Sequence, residues 1–228
     1  MTTPAFIRLR ERLGDRLLTA LTVMIAVLLF VIAPLQVAGA ITGPYVGFVF
    51  ELVLILAAFT VSGSRIALGA VLLAIALVVA AMVLELQQPS IVETYLDTLA
   101  WLIAGLTLAS VVARAVFAPG KITFHRIIGA VLLYLSIGLI FVGLFSFAAL
   151  LVPNAFNGLG LPQENFAVAG NLIYFSFVTL TTTGYGDISP VHPYTRALAN
   201  IEAIIGQLYP AILLARLVTL ELEGRKSS

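Results

Sequence analysis

Long apolar runs, cut by short polar stretches, constrain this chain more than any other feature. A helix needs about 20 apolar residues to cross a bilayer. Runs of that kind are expected from Leu17 to Val37, Tyr45 to Val61, Ile66 to Leu86, Val92 to Phe117, Ile127 to Val152 and Tyr194 to Leu220, the second being short. Turn-forming stretches separate them: Gly39 to Pro44, Ser62 to Arg65, Gln87 to Ser90 and Ala118 to Lys121. Composition agrees, with 61% hydrophobic residues, 10% charged residues and a mean hydropathy of +1.11. A soluble domain carries about 25% charged residues. The chain is therefore expected to be an integral membrane protein, all-α, with six transmembrane helices.

Charge and cysteine usage narrow the class further. A net charge of +1 gives no basic excess for nucleic acid. Cysteine is absent, so disulfides and thiolate chemistry are excluded. Arg8, Arg10, Arg12 and Arg16 precede the first apolar run like the start of a signal peptide. That run is too long, and no small-residue cleavage site stands out, so a retained first helix is expected. With the N-terminus inside and six spans, the inner side receives those four arginines with Arg65, Arg114, Lys121, Arg126, Arg216, Arg225 and Lys226. The outer side receives Arg196 alone. This asymmetry predicts a plasma-membrane (inner-membrane) protein with both termini cytoplasmic. Partners are then the lipid bilayer and other copies, not nucleic acid.

Between the fifth and sixth spans the pattern changes. A polar loop from Pro153 to Asn165 leads into an apolar segment from Phe166 to Leu180, with Asn165 at its start. About 15 residues cannot span a bilayer, so a re-entrant helix is expected. It runs straight into Thr181-Thr182-Thr183-Gly184-Tyr185-Gly186-Asp187. Open backbone at membrane depth is tolerated only where protein buries it or where it lines a cavity. The two glycines reach backbone angles closed to other residues.

This stretch resembles the selectivity filter of potassium channels. The resemblance is strong over the last hundred or so residues and weak over the first four spans. It implies that the carbonyls of Thr182, Thr183, Gly184 and Tyr185, with the Thr182 hydroxyl, replace the water shell of permeating K⁺. It also implies a homotetramer, because one segment supplies a quarter of a carbonyl ring. Gly186 and Asp187 would close the filter at its outer mouth. Thr183 stands where many relatives carry Val or Ile. Tyr174 and Phe175 replace the tryptophan pair common in the family, and Tyr174 is placed to bond Asp187. Val178 occupies the position where some channels have a glutamate partner for that aspartate. The end of the re-entrant helix, with its partial negative charge, would favour a cation in a central cavity.

The sixth span resembles the inner helix of bacterial two-span pores. Gly206 aligns with a hinge glycine, and Pro210 removes a helix hydrogen bond one turn later. Both are gating candidates, against ordinary small-residue packing. Glu202 is an ionisable residue inside a span and is read chiefly as a brace behind the filter or to the re-entrant helix. Gln207 faces either the cavity or a neighbouring helix.

The chain is expected to divide at about residue 121 into a four-helix part (1–121) and a pore part (122–228). The fourth span carries one arginine, Arg114, so it lacks the charge of a voltage sensor. Glu51 and Asp97 are expected at helix contacts or interfacial water. The polar tail from Glu221 to Ser228 is too short for a soluble regulatory domain. A K⁺-uptake subunit is the alternative reading, but such proteins carry four filter loops and this chain has one. A voltage-dependent cation channel is a further alternative. No catalytic or metal-ligand cluster suggests an enzyme; His125 and His192 fall on opposite sides of the membrane.

Overall fold

The protein is described by a computed structural model covering residues 18–40, 65–87, 91–117, 124–159 and 165–226. The expected second span with Glu51, the arginines near the N-terminus and Lys121 lie outside the described residues. The described elements are α1 (Leu18–Val37), then α2 (Arg65–Gln87), α3 (Ile91–Phe117), α4 (Phe124–Leu151), β1 (Phe156–Asn157), α5 (Asn165–Leu180), β2 (Ser189–Pro190) and α6 (Pro193–Lys226). Five of the helices are long and apolar enough to cross a membrane, and α5 is not. The all-α membrane architecture expected from the apolar runs is the one observed.

Pro34 explains a local irregularity of α1. Proline has no N–H to give and its ring crowds the carbonyl four residues back. The helix meets this with a π-helical turn at Leu28–Ile32, closed by the Ala33 N–H on the Leu28 carbonyl. On both sides of the proline, α1 packs on α5. Phe30 meets Phe177 edge-on at 5.4 Å between ring centroids.

The helix α4 is the centre of the fold. Of its apolar window, 61% is buried, against 11% for α6. It packs along α3, where the Trp101 indole N–H donates to the Leu139 carbonyl at 2.9 Å. On the other side it carries α5 through Phe145, which meets both Phe156 and Phe175 edge-on. One apolar cluster runs from Leu18 in α1 through α3 and α4 to Ile188 after α5. It crosses residue 121, so the two expected parts share a core.

Two expected boundaries are corrected. The loop from Pro153 to Asn165 holds a strand, because Phe156–Asn157 pairs antiparallel with Ser189–Pro190. The sixth helix does not end at Leu220 but continues to Lys226. Glu, Leu, Arg and Lys are good helix formers, so the backbone continues past the apolar stretch. The apolar part of α6 is Pro193–Arg216. Near that end Arg216 Nη2 donates to the Phe117 carbonyl at 2.9 Å, and its guanidinium lies 4.7 Å over the Phe117 ring. This fastens the last turn of α3 to α6.

Candidate functional site

The site begins where α5 ends. The last four carbonyls of a helix lack intrahelical donors. Here each finds one. The Phe177 carbonyl accepts the Thr181 N–H at 3.0 Å, and the Thr179 carbonyl accepts the Thr182 N–H at 2.9 Å. The Val178 carbonyl accepts from Thr183 at 2.9 Å and Gly184 at 3.3 Å. The Leu180 carbonyl accepts the Tyr134 hydroxyl from α4 at 3.1 Å. Val178 thus contributes through its backbone and supplies no carboxyl partner to the segment that follows. The helix end is tied into protein, which lowers the partial charge it can offer to a cavity.

From Thr182 the backbone alternates. Thr182, Gly184 and Gly186 have φ of +57°, +59° and +83°, while Thr183 and Tyr185 are not in the left-handed region. In an ordinary strand successive carbonyls point to opposite sides. Alternating left- and right-handed residues cancel that reversal, so successive carbonyls turn to one side. Glycine takes a positive φ freely, whereas a β-branched threonine does so only under constraint. All residues from Thr181 to Asp187 are exposed in the single chain.

The three threonines divide their hydroxyls between two supports. Thr181 Oγ1 donates to the Phe177 carbonyl at 2.7 Å. Its one proton is then used, so the Thr183 hydroxyl donates to Thr181 Oγ1 at 2.9 Å. This gives Thr183 a role behind the segment, pinning it to α5. Thr182 turns the other way, and Gln207 Nε2 of α6 donates to its Oγ1 at 3.2 Å.

The outer end is held by aromatic and strand contacts. The Tyr185 ring is 72% exposed and lies parallel to Tyr174, at 6.4 Å between centroids and 2° between planes. Tyr174 also stands near Asp187. Beyond Asp187, the β1–β2 pair and the Thr195 hydroxyl, 3.0 Å from the Ala155 carbonyl, anchor the chain to the loop after α4.

Glu202 is fully buried and faces α5. Ser176 Oγ lies 2.6 Å from Glu202 Oε1 and 2.9 Å from the Gly138 carbonyl of α4. One serine proton cannot serve two acceptors. A protonated Glu202 resolves the count: it donates to Ser176, which donates to Gly138. Glu202 Oε2 has no hydrogen-bond partner among the described residues. An unpaired charged oxygen at this depth would cost several kcal/mol, so the donor count and the burial point the same way. Glu202 therefore joins α6, α5 and α4.

Gly206 lies against the end of α5. A Cβ there would stand 1.8 Å from the Leu180 carbonyl oxygen. Its first role is steric: only glycine lets α6 approach this close. Pro210 sits inside the helix. It leaves the Gly206 carbonyl without its ordinary donor.

Several participants were not singled out by sequence reasoning. Tyr134 bonds Leu180 and stacks on Tyr209 at 5.7 Å, and the Tyr209 hydroxyl donates to the Ala130 carbonyl at 2.7 Å. Ser176 and Gly138 complete the Glu202 link. The available signal was hydroxyl groups placed inside apolar helices, where each must find a partner. Asp97 is half-buried and engaged in the fold. Among the described residues, no group of three His, Cys, Asp or Glu side chains could hold a metal ion.

The strand-like segment, its alternating backbone and the flanking helices α4 and α6 coincide with a known sequence family. Residues 131–222 match the family model described as ion channel. By that match, this segment is similar to an ion channel domain. No curated protein and no solved structure matches the chain. The match covers the last three quarters of α4, all of α5, the exposed segment and nearly all of α6.

Proposed function

We propose that the protein is a passive, potassium-selective channel formed by four identical copies. The carrying observation is the alternation of φ at Thr182, Gly184 and Gly186 in an exposed segment. Those carbonyls cannot face lipid, which has no donors to offer. Facing the same segment of other copies, they form stacked rings around an axis. A dehydrated K⁺ in such a ring exchanges water oxygens for the carbonyls of Thr182, Thr183, Gly184 and Tyr185. The Thr182 hydroxyl forms the inner edge of the lowest site.

The open face of α6 supports the assembly. Ile201, Ile204, Leu208 and Ile212 are exposed and spaced as one helical stripe. In a tetramer this stripe lines the cavity or meets the next copy.

Steep voltage gating is not expected. In α3 the basic residue of the last turn is Arg114, and a sensor needs several charges crossing the field. Gly206 and Pro210 remain the candidate gating positions, and Glu202 the brace beside them. The chain is placed in a bacterial plasma membrane with both termini in the cytoplasm, on the distribution of Lys and Arg.

The test is ion flux into liposomes holding the purified protein, K⁺ against Na⁺, with and without Ba²⁺. K⁺ flux well above Na⁺ flux and abolished by Ba²⁺ is expected. Equal fluxes reject selectivity. A monomer or dimer by mass measurement in detergent rejects the ring.

A further inference from the structure

Thr182 is the residue in the segment whose backbone is hardest to explain. It is one of two non-glycine residues among the described residues with positive φ, and the other, Asn154, lies in a turn after α4. Asparagine is at home in that region; a β-branched threonine is not. Such strain persists only when surrounding contacts over-determine it. Two contacts do so here. The Thr182 N–H is bound to the Thr179 carbonyl of α5 at 2.9 Å. Its hydroxyl oxygen accepts from Gln207 Nε2 of α6 at 3.2 Å. The residue is thus held at its amide by one helix and at its side chain by another.

We propose that Gln207 is a positioning residue for the innermost cation site, orienting the Thr182 hydroxyl so that its free lone pair faces the ion path. The hydroxyl oxygen has two lone pairs and one proton. The Gln207 amide occupies one lone pair and fixes the Cβ–Oγ1 direction. A cation takes the other and the proton turns away from both. Without Gln207 the hydroxyl rotates freely, and the ion meets its proton as often as its lone pair. Thr181 and Thr183 cannot compensate, because their hydroxyls are bound to each other and to α5. The same bond restrains the left-handed backbone of Thr182, and with it the direction of the Thr182 carbonyl. Gln207 itself need not touch the ion.

This inference rests on the potassium-channel reading, and its test separates the two. K⁺ efflux from liposomes is recorded for the wild type, Gln207→Leu, Thr182→Ala and the double variant, each titrated with Ba²⁺. Ba²⁺ has the size of K⁺ and twice its charge, so it reports the strength of an oxygen-ligand site. Gln207→Leu is expected to weaken Ba²⁺ block about fivefold, the effect of one orienting hydrogen bond. In the Thr182→Ala background the same change is expected to do nothing further, since the group it acts through is gone. Gln207→Met, equally without a donor, should repeat the result if Gln207→Leu assembles poorly. Unchanged Ba²⁺ affinity, or an additive loss in the double variant, overturns the proposal. Failure of both apolar variants to form the wild-type oligomer also overturns it, making Gln207 a packing residue. A wild type that passes no K⁺ overturns the channel reading and this inference with it.

Discussion

Replacing Gly206 with alanine distinguishes a packing contact from a free hinge. The added Cβ would lie 1.8 Å from the Leu180 carbonyl oxygen and 2.8 Å from its carbon. Ordinary contact begins near 3.4 Å, so α6 must withdraw from the end of α5 by about 1.6 Å, the difference 3.4 − 1.8. The obstacle is backbone and cannot rotate aside. Overpacking of this kind costs about 1–3 kcal/mol. The Leu180 carbonyl also holds the Tyr134 hydroxyl at 3.1 Å. Displacing it endangers a bond worth about 1 kcal/mol. The sum, about 2–4 kcal/mol, falls on the residue directly before Thr181. We expect Gly206→Ala to melt at least about 5 °C below the wild type in detergent, followed by Trp101 fluorescence, and to lose K⁺ flux. A hinge whose only need is flexibility would give a variant of normal stability with an altered open probability. Melting within about 1 °C of the wild type, with an intact oligomer, would refute the packing argument.

Three further outcomes follow from the same contacts. Glu202→Gln should keep wild-type flux and melting, because a neutral amide can replace a protonated acid beside Ser176, whereas Glu202→Ala should cost about 2–4 kcal/mol by leaving a buried gap; a Gln variant as damaged as the Ala variant would show that Glu202 is ionised. Tyr134→Phe removes the donor to the Leu180 carbonyl and should lower stability by about 1–2 kcal/mol, read as a lower melting temperature; an unchanged melting curve would mean the bond is idle. Thr183→Val keeps shape but drops the hydroxyl that donates to Thr181, so a loss near 1 kcal/mol with K⁺/Na⁺ flux ratio retained is expected; a collapsed ratio would place Thr183's hydroxyl in selectivity itself.

The residues differ in how readable they were. The Thr181–Asp187 segment announces itself, because glycines at alternate positions after a helix too short to span have little other use in a membrane. Tyr174 was singled out as a partner for Asp187, and the contact the structure gives its ring is the parallel one with Tyr185. Tyr134 was not. It lies 46 positions from the carbonyl it serves, and no local pattern reports a contact across that separation. Gly206 was legible as a special position but for a different reason, since sequence cannot tell a glycine that bends from one that lets a neighbour in. Gln207 was an open choice between cavity and helix until its amide was found on Thr182.

The sequence alone determined that the chain is a set of membrane helices, that one of them stops short, and that the segment after it leaves its backbone open. Those properties follow from run length, apolarity and glycine spacing, which are local. Only the tertiary structure decided which helices hold that segment. Those are contacts between α4, α5 and α6, and hydrogen bonds across tens of residues depend on where helices cross, which is set by packing shape rather than by any periodicity in the chain.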